Sequence, residues 1–132
     1  MTDQYVPGAC NIGPEEIALR RRAGHAGVAV TAALAAALVR SGSNPAWRLV
    51  LALPAAGAAA GYLQARQRFC ANYGFRGLYN FESRGHEQPV PGTSGAAAAA
   101  VEAREEDRRR SLQITATSAS IGLGVALLAM AV

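Results

Sequence analysis

The chain has 132 residues, enough for one domain at most, and about half of them (51%) are hydrophobic while only 6% are aromatic. Alanine is the main apolar residue, and because alanine buries little area, this composition argues against a water-soluble core. The net charge of +4 comes from arginines grouped beside apolar runs, which is typical of membrane topology and argues against a nucleic-acid partner. Two cysteines are too few for a disulfide framework.

The N-terminal segment, residues 1–22, is predicted to be a loop followed by the start of a helix. Pro14 suits the first helical position, and Glu15 and Glu16 complement the positive end of a helix dipole. We expect this helix to continue through the arginines at 20–22 into the first apolar run.

Three apolar runs contain no Asp, Glu, Lys or Arg in their interiors, at residues 23–39, 49–65 and 111–132. Each of the first two has 17 residues, about 26 Å of helix, which is short for a hydrocarbon core of about 30 Å but workable with snorkelling arginines. Neither shows the polar stripe of period 3.6 expected of a soluble alanine-rich bundle. Pro54, near the middle of the second run, predicts a kink.

These runs predict an all-α integral membrane protein with three transmembrane helices in a small bundle. A transmembrane hairpin, residues 23–66, follows the N-terminal segment, and a cytoplasmic interfacial segment with a linker, residues 67–95, comes next. Residues 96–132 are predicted to form a cytoplasmic helix that continues without a break into the third transmembrane helix.

The distribution of arginine predicts the orientation. Residues 1–22 and 66–110 hold eleven of the thirteen arginines, and the turn 40–48 holds the other two. Because positive charge is retained on the cytoplasmic side, we expect the N-terminus in the cytoplasm and the protein in the inner (plasma) membrane.

Small and weakly polar residues recur at helical spacing in the apolar runs. Gly57 and Gly61 form a GxxxG pattern, which permits close contact between helix backbones. In the third run one stripe contains Gln113, Thr117, Ser120 and Gly124. These positions predict helix packing, either inside the chain or, where a face is left over, against a partner membrane protein or a second copy.

The segment after the second run, residues 66–81, interleaves arginines with aromatic residues. Single-stranded nucleic-acid binders use the same combination, but beside a membrane span it favours an interfacial aromatic belt. Gly74 and Gly77 predict that the helix ends near Tyr73. The polar residues 83–95 are predicted to form a mobile linker.

Two short segments resemble each other: Cys10 is followed by Asn11, and Cys70 is followed by Asn72. Both lie on the same predicted side of the membrane, so the two cysteines are able to meet. Three interpretations stay open, namely structural packing, a redox-active dithiol and a metal site. His25, in the first turn of the first span, is the ionisable side chain at membrane depth and is a further candidate for proton or ligand chemistry.

The sequence contains no complete catalytic or nucleotide-binding motif, so we do not expect an enzyme, and we predict no cofactor. Two hypotheses follow. In the first, the protein is a structural or accessory subunit that docks on a larger membrane complex, with the lipid bilayer and a membrane protein as partners. In the alternative, it is a thiol- or metal-dependent membrane protein that uses Cys10 and Cys70.

Overall fold

The computed structural model describes residues 4–83, 85–90 and 98–132. Its elements, in chain order, are helix α1 (Pro14–Arg40), a 3-10 helix (Pro45–Leu51), α2 (Ala52–Gln67), α3 (Ala71–Arg76), strands β1 (Leu78–Tyr79) and β2 (Gln88–Pro89), and α4 (Ala98–Met130). The protein is mostly helical, which confirms the predicted all-α class. The short antiparallel pair β1–β2 is an addition that the sequence analysis did not predict.

Three helices are long and apolar enough to cross a membrane, at Pro14–Arg40, Pro45–Gln67 and Val101–Met130. Their apolar side chains lie mostly at the surface, and in the first helix just 6% of the most apolar stretch is buried. Such a belt of exposed aliphatic side chains, with Leu53 and Leu128 among the most exposed, is unfavourable in water and suits hydrocarbon. The chain therefore fits a small multi-pass membrane protein.

Helix α2 lies between α1 and α4, and the two main interfaces of the bundle share it. Small residues bring the backbones close. A Cβ on Gly61 would lie 2.7 Å from the backbone of α1, and a Cβ on Gly27 would lie 2.8 Å from the Cβ of Ala58. Gly122 of α4 meets the carbonyl of Ala52 in the same way. Within the described residues α1 and α4 share no interface of comparable size, so an open angle is left between them.

The second span begins as a 3-10 helix and not as an α-helix. The side chain of Asn44 caps it, accepting a hydrogen bond from the N–H of Ala46 at 2.9 Å. The backbone changes to α geometry at Ala52, which places Pro54 in the first turn of α2. N–H groups in the first turn of a helix have no acceptor within that helix, so proline, which lacks an N–H, is accommodated there. The predicted kink in the middle of the span is thus replaced by a change from 3-10 to α-helix.

Arg48 is buried, although the sequence analysis treated it as a charge flanking a membrane span. Its Nη1 donates to the carbonyl oxygen of Ala129 at 2.8 Å, near the end of α4. Carbonyl groups in the last turn of a helix lack intrahelical partners, and basic side chains satisfy them. This arginine therefore fastens the 3-10 helix to the end of α4.

At its other end α2 stops at Gln67, earlier than the end predicted near Tyr73. Arg68 adopts a left-handed conformation with φ of 54°, which reverses the chain. The reversal turns Phe69 inward, where its side chain is fully buried. The short helix α3 then carries Tyr73 and ends at Gly77, also left-handed with φ of 69°.

Residues 4–13, 68–83 and 85–90, together with the N-terminal turns of α1 and α4, form a packed region that we call the head. One of its apolar clusters contains Ile12, Cys70 and Tyr73, with Ile17 and Leu78 packed against it. The predicted aromatic belt is thus wrong for Phe69 and Tyr73, since both are buried inside protein. Much of the predicted linker, residue 84 and residues 91–95, lies outside the described residues.

Candidate functional site

The head contains a group of polar side chains that we call the polar junction, formed by the buried residues Asn11, Glu16, Cys70 and Tyr73 and the half-buried Arg20. It begins where the N-terminal loop meets the chain after α2. The side chain of Asn11 donates from Nδ2 to the carbonyl of Cys70 at 3.1 Å, and its Oδ1 accepts from the N–H of Cys70 at 2.6 Å. Asn11 and Cys70 are fully buried, so these bonds replace the hydrogen bonds that the amide and the backbone would form with water.

Backbone hydrogen bonds hold the same loop on its other side. The N–H of Asn80 donates to the carbonyl of Asn11 at 2.9 Å, and the N–H of Gly13 donates to the carbonyl of Asn80 at 2.8 Å. Gly13 is required at this point, because a Cβ would lie 2.8 Å from the carbonyl oxygen of Phe81. The loop therefore enters α1 from a fixed position.

The ionisable members of the polar junction lie on α1 and α3. Glu16 is buried and forms an ion pair with Arg20 at 3.3 Å. The Tyr73 hydroxyl lies 3.4 Å from one oxygen of Glu16 and 3.1 Å from a carboxylate oxygen of Glu87, and it is able to donate to either. Burial, reinforced by the charge of Glu16 and the bond to Glu87, raises the pKa of Tyr73 to about 12. Hydrogen bonds from its own backbone and from Tyr73 lower the pKa of Glu87.

Cys70 also receives a hydrogen bond from Arg20, whose Nη2 lies 3.1 Å from the sulfur. The reactivity of a thiol requires access from solvent. The Cys70 side chain is fully buried, and Cys10 and Cys70 are not joined by a disulfide. The geometry therefore assigns Cys70 a packing and hydrogen-bonding role.

The two segments containing the predicted cysteine and asparagine candidates do come together, but the contact runs through Asn11 and Cys70. The sulfur of Cys10 lies 3.9 Å from the carbonyl oxygen of Ile12. Asn72 is exposed on α3. Across residues 4–83, 85–90 and 98–132, no group of three His, Cys, Asp or Glu side chains is arranged to hold a metal ion.

His25 lies at the surface of α1 and interacts with α2. Its Nδ1 is 2.6 Å from the hydroxyl of Tyr62, and the two rings meet edge to face with centroids 5.3 Å apart. The Tyr62 ring lies over Gly24, where a Cβ would be 3.0 Å from the ring. This pair marks the end of the apolar bundle that faces the head.

A second buried carboxylate, Asp107, was missed by the sequence analysis because it lies in a strongly charged run. Asp107 is fully buried and accepts hydrogen bonds from the hydroxyl of Tyr5 at 2.6 Å and from the N–H of Gly8 at 2.8 Å. Burial and the adjacent Asp107 raise the pKa of Tyr5. Helical spacing was the feature that could have indicated its burial, since Asp107 lies four residues before Ser111 on the buried face of α4.

The residues singled out for helix packing have different surroundings. Gly61 is buried against α1, whereas no described atom lies within 4 Å of a Cβ built on Gly57 or on Gly124. The side chains of Gln113, Thr117 and Ser120 are exposed. This stripe of α4 is therefore not used inside the bundle, and its packing against another helix stays a prediction.

Comparison with known proteins adds no family assignment: no protein-family model, no curated protein and no solved structure matches this chain.

Proposed function

We propose that the protein is a structural or accessory subunit of a larger membrane complex, and that it docks through the outward stripe of α4, Gln113–Thr117–Ser120–Gly124. The observation that carries this proposal is the contrast between two faces of the same helix. The face of α4 buried within the chain consists of Asp107, Ser111, Ile114, Ser118, Gly122 and Ala126. The stripe lies on a different side of α4, where Gln113, Thr117 and Ser120 are exposed and Gly124 is half-buried.

The geometry of the helix separates the two faces. Gln113 and Thr117 each precede a buried residue by one position, which corresponds to a rotation of about 100° around the axis. The stripe begins in the first turn of the apolar run 111–132 and continues towards its middle. In a monomer it would therefore face lipid.

Lipid is a poor environment for this stripe. Gln113 accepts one weak hydrogen bond from Arg110 at 3.5 Å, and Ser120 donates to the backbone of Ala116 at 2.8 Å. The remaining capacity of the amide and hydroxyl groups is satisfied better by a second helix than by hydrocarbon, at about 0.6 kcal/mol for each interhelical hydrogen bond. Gly124 has open space beside it, which lets a partner backbone approach closely.

The proposed orientation has the head in the cytoplasm. Within the described residues, the arginines at 20–22, 66–76 and 104–110 belong to the head side of the molecule, and retention of positive charge on the cytoplasmic side supports this placement. The stripe begins at the head end of the third span. A partner that contacts it would therefore also lie beside the exposed part of α4 outside the membrane.

The proposal is tested by purifying the tagged full chain in mild detergent and identifying the membrane proteins that co-purify. Gly124→Leu adds bulk to the stripe and should release the partner, while Ala119→Leu adds the same bulk to another exposed face of α4 and should retain it. A wild-type protein that is monodisperse and free of partners would contradict the proposal. Self-association that Gly124→Leu abolishes would replace the partner protein by a second copy.

A further inference from the structure

The bundle contains an apolar groove between α1 and α4, with α2 as its floor. The groove has a volume of about 420 Å³, which is within the usual range of ligand pockets. Its depth comes from the small side chains of α2, and its walls come from aliphatic residues of the outer helices. The lining includes Val28 and Ala32 of α1, Ala55 and Ala59 of α2, and Ile121 and Val125 of α4.

The interior of the groove offers nothing to a polar ligand. The hydroxyl of Thr31, the one polar side chain along its walls, donates to the carbonyl of Gly27 at 2.7 Å. The remaining polar lining residue, Tyr62, is at the head end and is bonded to His25. A long apolar chain is therefore the matching occupant for the interior.

The head end of the groove is positively charged. Arg21 precedes His25 by four residues on the groove face of α1, Arg66 follows Tyr62 by four residues on α2, and Arg110 precedes Ile121 by eleven residues on α4. These separations place the three arginines on the faces that line the groove, beyond its apolar part. The same spacing brings Asp107 to this face of α4, about one turn further from the groove than Arg110, where it is buried and accepts hydrogen bonds from Tyr5 and Gly8.

One of these arginines also has unused hydrogen-bonding capacity. The Nε of Arg110 is buried and has no hydrogen-bond partner among the described atoms. At the opposite end of the groove, Nη1 of Arg48 donates to the carbonyl of Ala129, and the buried Nε of Arg48 also has no hydrogen-bond partner among the described atoms. The head end differs in having three arginines on the faces that line the groove.

We infer that the groove binds one acyl chain of an anionic phospholipid, whose phosphate lies at the head end among Arg21, Arg66 and Arg110. An apolar cleft between helices with a basic mouth combines the two properties that such a lipid requires, a hydrocarbon surface and a paired charge. A second copy of the chain or a neutral lipid fits the apolar part but leaves the three arginines without a counter-charge. This inference rests on membrane insertion alone and is independent of the docking proposal for α4.

The test reconstitutes the full chain into vesicles of equal parts phosphatidylglycerol and phosphatidylcholine, extracts it in mild detergent and measures the retained lipid by native mass spectrometry. Wild-type protein should retain phosphatidylglycerol in preference to phosphatidylcholine. Arg66→Gln should weaken retention about fivefold, while Arg109→Gln, on another face of α4, should leave it unchanged. Ala32→Phe fills the groove and should abolish retention, whereas Ala33→Phe, beside it but outside the lining, should not.

A photoactivatable phosphatidylglycerol with a diazirine in its acyl chain gives a readout on the unmodified protein. Cross-links should map to groove residues of α1, α2 and α4. Cross-links spread evenly over the bundle, or equal retention by Ala32→Phe and Ala33→Phe, would overturn the inference. Displacement of the lipid by inorganic phosphate would also overturn it, because the site would then recognise a free anion. If Ala32→Phe abolished dimerisation while lipid retention stayed unchanged, the groove would be assigned to a second copy of the chain.

Discussion

The side chain of Asn11 forms hydrogen bonds with both the N–H and the carbonyl of Cys70, so that one buried amide joins two segments 59 residues apart. The pairing imitates the exchange of hydrogen bonds between neighbouring strands with a single side chain. It fixes the N-terminal loop against the turn that follows α2.

We expect Asn11→Ala to destabilise the head by about 2–4 kcal/mol, because it leaves the buried N–H of Cys70 without its acceptor and removes one of the two hydrogen bonds to the Cys70 carbonyl, which Gly74 continues to bind. The rate at which a maleimide labels Cys70 measures the opening, since the thiol is fully buried in the native protein. Asn72→Ala removes the same side chain from an exposed position and should leave the rate unchanged. Equal labelling of Cys70 in both variants would show that the Asn11 bonds are dispensable.

Asp107→Ala should release the N-terminal loop, because the hydroxyl of Tyr5 and the N–H of Gly8 lose their shared acceptor. We expect a loss of about 2–3 kcal/mol, the range for hydrogen bonds to a charged group. Limited proteolysis of the loop in detergent provides the measurement. The matched control is Glu105→Ala, which removes an exposed carboxylate two residues away; loop cleavage as fast in this control would refute the assignment.

Gly61→Ala should separate α1 from α2, because the added methyl group would lie 2.7 Å from the backbone of α1. Overpacking of this kind costs about 1–3 kcal/mol, so the temperature of unfolding in detergent should fall. Gly57→Ala places the same methyl group in open space and should leave stability unchanged or raise it. A fall of the same size in both variants would contradict the assignment of Gly61 to a close helix contact, because Gly57 has open space beside it.

The raised pKa of Tyr73 predicts that the protein loses stability at alkaline pH. Its pKa is about 12 in the folded protein against an ordinary value of 10.0, so between these values the unfolded chain releases a proton that the folded chain retains. The free energy of unfolding should therefore be constant with respect to this group below about pH 10 and fall as the pH rises towards 12. Tyr73→Phe should flatten that part of the profile, measured by thermal unfolding in detergent. An unaltered slope in Tyr73→Phe would assign the alkaline loss to another group.

The membrane helices were predictable from local sequence, because three uncharged runs bounded by arginines are visible without any long-range information. The start of α1 at Pro14 and the continuity of α4 from its charged turns into the third span were predicted for the same reason. The end of α2 was not predicted correctly, since Gly74 and Gly77 indicated an end near Tyr73. The chain reverses earlier, at Arg68, which adopts a left-handed conformation that is unusual for a residue with a side chain.

The head could not be predicted, because its contacts join distant parts of the chain. Apart from its helical register with Ser111, Asp107 resembles the exposed charges around it, and its partner Tyr5 lies 102 residues away. The junction was anticipated only in part: the similarity of the two cysteine segments indicated that they meet, but it drew attention to the sulfur atoms. The asparagine amide, with two donors and two acceptor sites, is the group that makes the contact.

The long separation between Tyr5 and Asp107 also sets an order of events during biosynthesis. The ribosome delivers the N-terminal loop first, but its acceptor on α4 is made 102 residues later, after two of the three spans. Tyr5 and Gly8 therefore cannot close onto Asp107 until α4 has begun to form, although Asn11 is able to bind Cys70 before then. A nascent chain arrested before that point would leave Tyr5 and Gly8 without their acceptor and open to the proteases and chaperones of the cell.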